Sequence, residues 1–157
     1  MKIVGVYGFK KSGKTTVVTS IINSLVNKGY KVSSAKSIHI DDFSLETDGT
    51  DTFKHNAAGA ERVGLVYPKG KAILYYDLDI SEFLNKFESD YLILEGFREL
   101  KCPKILCARN ESDLKKDFRD EVICISGLVS REISSYEGIP VISYKDIDKI
   151  TEIIEKL

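Results

Sequence analysis

The sequence predicts an α/β fold of three layers, a mostly parallel sheet between helices with one antiparallel hairpin. Three observations predict it. Short apolar runs alternate with helical patterns, as expected of strands covered by helices. A glycine-rich segment, Gly8-Phe9-Lys10-Lys11-Ser12-Gly13-Lys14-Thr15, joins the first apolar run to the first helical pattern. A single acid, Glu95, directly follows an apolar run at residues 91–94.

Residues 3–7 are short and apolar, as a buried parallel strand requires. After Lys14, the residues Val17, Val18, Ile21, Ile22, Leu25 and Val26 share one helical face. Lys28-Gly29 closes that helix with a cation in the last turn and glycine beyond it. Residues 30–37 read as a second strand, completing a βαβ unit. Residues 36–51 are polar and acidic, without clear periodicity, and a stretch of that length predicts a functional loop. A short alanine-rich helix is expected at 52–60, stopped by Gly59, with Asp51-Thr52 as a cap.

Residues 62–67 and 71–76 flank Pro68-Lys69-Gly70 and read as a β-hairpin. Asp79-x-x-Glu82 is a capping box that opens a helix with Ile80, Phe83, Leu84 and Phe87 facing inward. Further strands are expected at 91–94, 105–107, 122–125 and 139–142. Ser143-x-x-Asp146 then starts a last helix with Ile147, Ile150, Ile153, Ile154 and Leu157 on one side. No repeat, low-complexity tract or linker interrupts the pattern, so residues 1–157 read as a single nucleotide-binding domain.

The composition narrows the function. With 24 acidic against 23 basic residues the net charge is −1, which argues against nucleic acid as the main partner. Cys102, Cys107 and Cys124 have no C-x-x-C spacing and no nearby histidine, so they read as reduced packing residues. No apolar run approaches the roughly 20 residues that span a bilayer. The chain enters a strand at once, so no signal peptide is expected and the location expected is cytoplasmic.

The segment from Gly8 to Thr15 matches G-x-x-x-x-G-K-[ST], the Walker A signature of P-loop NTPases. Its glycines let the backbone turn tightly, so that successive N–H groups face phosphate oxygens. Lys14 would reach the β- and γ-phosphates, and Thr15 would offer its hydroxyl to Mg²⁺. The helix that follows directs the positive end of its dipole at the same anion. Gly8, Lys11, Ser12, Gly13, Lys14, Thr15 and Thr16 are the expected nucleotide-contacting residues. An acid directly after an apolar strand lands at the carboxyl edge of the sheet, so Glu95 reads as the second catalytic or metal-facing residue beside Lys14. A solvent-facing carboxylate at a strand end is the competing reading. Asp51 has two readings, a helix cap and a metal ligand alongside Thr15 and Glu95. His39 and the other acids of the 36–51 loop are candidates for the metal or a second substrate, and Lys36 and Arg98 for phosphate.

Four blocks give the chain a resemblance to the MobB family, molybdopterin-guanine dinucleotide biosynthesis protein B. They are residues 8–16; residues 36–39; Gly49-x-Asp51-Thr52 with Ala58-Gly59-Ala60; and Leu94-Glu95-Gly96-Phe97-Arg98 with Pro103-Lys104-Ile105. The resemblance implies a GTP-binding P-loop homodimer with weak Mg²⁺-dependent GTPase activity. It would assist the guanylyltransferase that joins GMP to molybdopterin. The chain departs from the family pattern at Ser37, where a histidine is usual, and at Glu46, where an aspartate is usual. Ser126-Gly127 stands where the family has a Ser-Asp pair near the base, and a carboxylate there would pair with guanine N1 and N2. The alternative function is a small-molecule P-loop kinase using ATP or GTP. The scarcity of arginine, with no cluster to form a lid, counts against it.

Overall fold

In the computed structural model, which describes residues 1–39 and 43–157, the chain gathers into two compact units. One comprises Met1–Ile38 with Glu88–Leu157, the other His39–Phe87.

The first unit is built on a five-stranded parallel sheet. Its strands are β1 (Lys2–Gly8), β2 (Val32–Lys36), β5 (Tyr91–Glu95), β6 (Lys104–Ala108) and β7 (Val122–Gly127), in the order β2-β5-β1-β6-β7. β5 and β6 are buried along their whole lengths, which is why residues 91–94 and 105–108 read as continuous apolar runs. Helix α1 (Lys14–Asn27) and helix α5 (Ile147–Glu155) cover one face, where Val4, Val6, Val17, Ile21, Leu25, Ile150 and Ile154 form a core. Helix α4 (Glu111–Asp117) covers the other, with Leu114 packed among Tyr7, Leu106 and Ile125. This arrangement is the expected three layers.

Strand order is what positions the site. β1 pairs with β5 in the register Val6↔Glu95, and β2 pairs with β5 in the register Lys36↔Glu95. The ends of all three strands therefore meet at one carboxyl edge, where β1 runs into the glycine-rich loop.

The second unit holds helix α2 (Asp51–Ala57), the antiparallel pair β3 (Arg62–Tyr67) and β4 (Gly70–Tyr75), and helix α3 (Ile80–Leu84). The hairpin closes over two residues in the register Tyr67↔Gly70. Asp79 caps α3 by accepting a hydrogen bond from the Glu82 N–H at 2.9 Å, as the capping box predicts.

Several expectations are corrected. Residues 139–142 do not form a full sheet strand. β9 (Ile139–Pro140) pairs only with β8 (Ser135–Tyr136), and Val141 makes a single parallel bridge to Ile125. Pro140 has no N–H to extend a ladder. Helix α4 was not expected, although Asn110 caps it by accepting from the Asp113 N–H at 3.2 Å. Thr50, and not Asp51, caps α2, its side-chain oxygen accepting from Phe53 N–H. Ile80 opens α3 and stays 46% exposed, and Phe87 lies beyond the helix, which ends at Leu84. Leu157 is likewise 46% exposed, beyond the last residue of α5.

Candidate functional site

The turn out of β1 is dictated by close backbone approach. At Gly8 φ is +137°, and a Cβ there would overlap the Cys107 carbonyl of the neighbouring strand. Only glycine fits. Lys11 also adopts a positive φ, 62°, before Gly13 opens α1. Lys10, Lys11, Thr15 and Thr16 are exposed, and Ser12 is fully buried with its Oγ left without a hydrogen-bond partner among the described residues. A buried hydroxyl without a partner is costly unless something fills the role.

Lys14 donates from Nζ to the Phe9 carbonyl oxygen at 2.6 Å, so the ammonium arches back over the loop. Burial is the leading reason that its pKa lies below the ordinary 10.5. The charged form is thus under-solvated and gains from any anion that arrives. Phe9 is itself flanked by cations: the Arg98 and Arg109 guanidinium carbons lie 5.8 and 5.3 Å from its ring centre.

Glu95, buried at 9% exposure, links the start of α1 to the end of β2. Its Oε1 accepts a hydrogen bond from Thr15 Oγ1 at 3.0 Å and lies 3.3 Å from Lys36 Nζ. A threonine hydroxyl and a carboxylate form the hard-oxygen set that suits Mg²⁺, which takes only one or two carboxylates and completes its shell with phosphate and water. Among the described residues there is no group of three or more His, Cys, Asp or Glu arranged to hold a metal.

The remaining candidates have defined places. Lys36 is the ion-pair partner of Glu95. Arg98 lies 3.1 Å from Asp117 Oδ2, an ion pair whose angle falls short of a hydrogen bond. Buried Lys104 donates to the Arg98 carbonyl oxygen at 2.6 Å and fixes the start of β6. In the second unit, Asp51 lies in the first turn of α2, where a carboxylate complements the helix dipole, and pairs with Lys54 at 3.2 Å. Glu46 accepts a 2.5 Å hydrogen bond from Tyr76 Oη, which raises the Tyr76 pKa to about 12. Asp41 and Asp42 lie outside the described residues.

Sequence reading missed one feature. A cavity of about 370 Å³ begins at Gly13 and Thr16 and extends to Arg131, Tyr144 and Lys145. Its far wall comes from two turns, Leu128–Arg131 and Tyr144–Asp146, that are separated in sequence and share no spacing rule. Gly127 borders it with φ +92°, and a Cβ there would overlap Ser12 O and approach Ala108 O at 2.8 Å. This backbone leaves no room for the aspartate that the family resemblance places at that position.

Comparison with known proteins gives the family and the fold. Residues 3–129 match the family model described as molybdopterin guanine dinucleotide synthesis protein B. A putative molybdopterin-guanine dinucleotide biosynthesis adapter protein of Methanocaldococcus jannaschii is 30% identical over 78% of this chain, which spans 55% of that protein's length. A probable adapter protein of the same description from Bacillus subtilis is 27% identical, covering 99% of this chain and 92% of its own. Among solved structures, Bacillus subtilis MobB superposes with a TM-score of 0.78 at 24% identity, covering 98% of each chain. A MobB homolog from Bacillus stearothermophilus gives 0.74 at 17% identity over the whole of both chains. These two likenesses establish the fold. With the family model matched along most of its length, this chain belongs to the molybdopterin guanine dinucleotide synthesis protein B family.

Proposed function

We propose that the protein is a GTP-binding accessory factor in the biosynthesis of molybdopterin guanine dinucleotide, with a weak Mg²⁺-dependent GTPase activity. The observation that carries the reading is the Thr15–Glu95 hydrogen bond at the sheet edge, next to the glycine-rich turn. The adapter role is supported by the names of the M. jannaschii and B. subtilis relatives. The homodimer and the guanylyltransferase partner follow from the family resemblance.

In this reading Lys14 exchanges the Phe9 carbonyl for the β- and γ-phosphates. Its burial makes the exchange favourable, because the anion restores the charged state that desolvation opposes. The Ser12 hydroxyl, buried and without a partner, gains one at the same moment. Mg²⁺, when bound, neutralises charge across the phosphates. Thr15 and Glu95 would hold it, and Lys36 would keep Glu95 oriented. Glu95 is also the only acid on this edge hydrogen-bonded to the loop among the described residues, so it is the group to orient an attacking water.

The kinase alternative finds less support. Three of the five arginines are already engaged in ion pairs, Arg98 with Asp117, Arg109 with Asp113 and Arg119 with Glu99. The experiment is GTP turnover by the purified chain alone, with the guanylyltransferase, and with small-molecule phosphate acceptors. Slow turnover unaffected by acceptors, and lowered about 10²- to 10⁴-fold in Glu95→Gln, is expected. Rapid acceptor-dependent turnover by the lone protein would replace this reading with a kinase.

A further inference from the structure

We infer that the cavity beside the glycine-rich loop selects a 6-oxopurine through its O6/N7 edge, using Arg131 and Lys145, and leaves the N1/N2 edge unread. The inference rests on the reading of the loop as a nucleoside triphosphate site and goes beyond it by naming how the base is chosen.

Continuity is the first argument. Gly13 and Thr16 belong both to the phosphate-binding turn and to the cavity wall. A ligand whose phosphates occupy the turn has this space within reach of its remaining half. At about 370 Å³ the cavity falls in the range of small-molecule sites, about 300–1,000 Å³. Leu128 and Tyr144, at 41% and 38% exposure, offer apolar surface on which a flat ring can lie.

Chemistry is the second. Among the described residues no aspartate or glutamate lines the cavity, and its charged side chains are Arg131 and Lys145. Neither has an ion-pair partner among the described residues, whereas Arg98, Arg109 and Arg119 all do. Two of the wall hydroxyls already hold backbone partners. Ser130 Oγ donates to the Gly127 carbonyl at 2.7 Å, and Ser143 Oγ accepts from Lys145 N–H at 3.3 Å. Behind them Ser126 Oγ donates to the Ile142 carbonyl at 2.6 Å, tying β7 to the second turn. These bonds hold the two turns in place, and the charged groups that the wall presents to a base, Arg131 and Lys145, can only donate.

Donors distinguish the purines. Guanine shows two acceptors, O6 and N7, along that edge, while adenine shows the N7 acceptor beside an N6 amine that is itself a donor. Cations facing position 6 attract the oxo group and oppose the amine. The usual alternative, a carboxylate on N1 and N2, cannot come from position 127, where the backbone leaves no room for a Cβ.

The test uses the full chain and equilibrium titration with the Mg²⁺ complexes of GTP, ITP and ATP, and with inorganic tripolyphosphate. ITP keeps O6 and N7 but lacks the 2-amino group. GTP and ITP are expected to bind within about threefold of each other, and ATP roughly tenfold or more weakly. Arg131→Ala combined with Lys145→Ala is expected to shrink the GTP/ATP ratio about tenfold while tripolyphosphate affinity holds. Arg131→Lys, which keeps a donor, should retain most of the ratio, and circular dichroism verifies the fold of each variant. GTP preferred over ITP by tenfold overturns the inference, as does ATP binding as tightly as GTP. Equal losses for every ligand, tripolyphosphate included, also overturn it, because the cations would then serve phosphate. If wild-type protein binds none of the four ligands, the phosphate-loop reading fails, and this inference with it.

Discussion

Replacing Gly127 by alanine adds one methyl group at a point where two constraints meet. The backbone sits at φ +92°, ψ −156°, a region open essentially to glycine, and holding another residue there costs roughly 1–3 kcal/mol. The new Cβ would also overlap the Ser12 carbonyl and lie 2.8 Å from the Ala108 carbonyl oxygen and 3.1 Å from the Ala108 nitrogen. All three are main-chain atoms that cannot rotate away, and overpacking of this kind adds about 1–3 kcal/mol. The expected loss is therefore about 2–6 kcal/mol, a large share of a total stability of roughly 5–15. Gly138→Ala is the control: φ is +78°, nothing lies within 4 Å of its Cβ, and the cost is the backbone contribution alone, about 1–2 kcal/mol. Urea unfolding followed by circular dichroism, with the slope checked for constancy, measures both. Because the displaced atom belongs to Ser12, triphosphate affinity should fall in the Gly127 variant and hold in the Gly138 variant. If Gly127→Ala costs no more than Gly138→Ala, the packing of β7 against the loop is misjudged, and the argument that no carboxylate fits at position 127 falls too.

Two further predictions concern pH. Lys14 is held below its ordinary 10.5 by burial, and a bound triphosphate favours its charged form. Affinity is therefore complete below the free-state pKa and declines as pH rises through it toward the bound-state value. Titrations from neutral to alkaline pH should show that decline in the wild type and lack it in Lys14→Arg, whose guanidinium stays charged; identical profiles would contradict the assignment. Asp113 accepts from both Arg109 Nε and Nη2 at 2.7 Å, and this pairing is the main reason its carboxyl titrates below the ordinary 3.8. A depressed carboxylate contributes stability that is present above the unfolded value and lost as pH falls from there toward the lowered one. The stability gap between wild type and Asp113→Asn should accordingly narrow on acidification through that range, and a constant gap would remove the ion pair from the account.

What could be read from the chain depended on how local the signal was. β1, β5 and β6 were legible because strands buried on both faces must be apolar throughout, and α1 because 14 residues display several helical turns. Helix α4 was missed because seven residues carry too little periodicity, although Asn110 with Asp113 three positions on was a usable cap signal. The extent of the last strand was overestimated because apolar residues at 139–142 outweighed the missing N–H of Pro140. Thr15 and Glu95, which the structure brings to hydrogen-bond distance, could be singled out in the sequence because one sits in the glycine-rich motif and the other ends a distinct strand. That Lys36 lies beside Glu95 required the strand order, which no local pattern reveals. Arg131, Tyr144 and Lys145 were invisible, since two turns meet there only after the sheet has formed.

The central claim is that the turn from Gly8 to Thr15 grips a polyphosphate with Lys14 as its cation. Its most direct test is calorimetric titration of Mg²⁺-GTP into wild type and Lys14→Ala, with circular dichroism confirming that both are folded. Loss of a charge-assisted contact worth about 1.5–3 kcal/mol predicts an affinity lower by roughly 10- to 100-fold. A folded Lys14→Ala protein that binds the triphosphate as tightly as wild type would contradict the account.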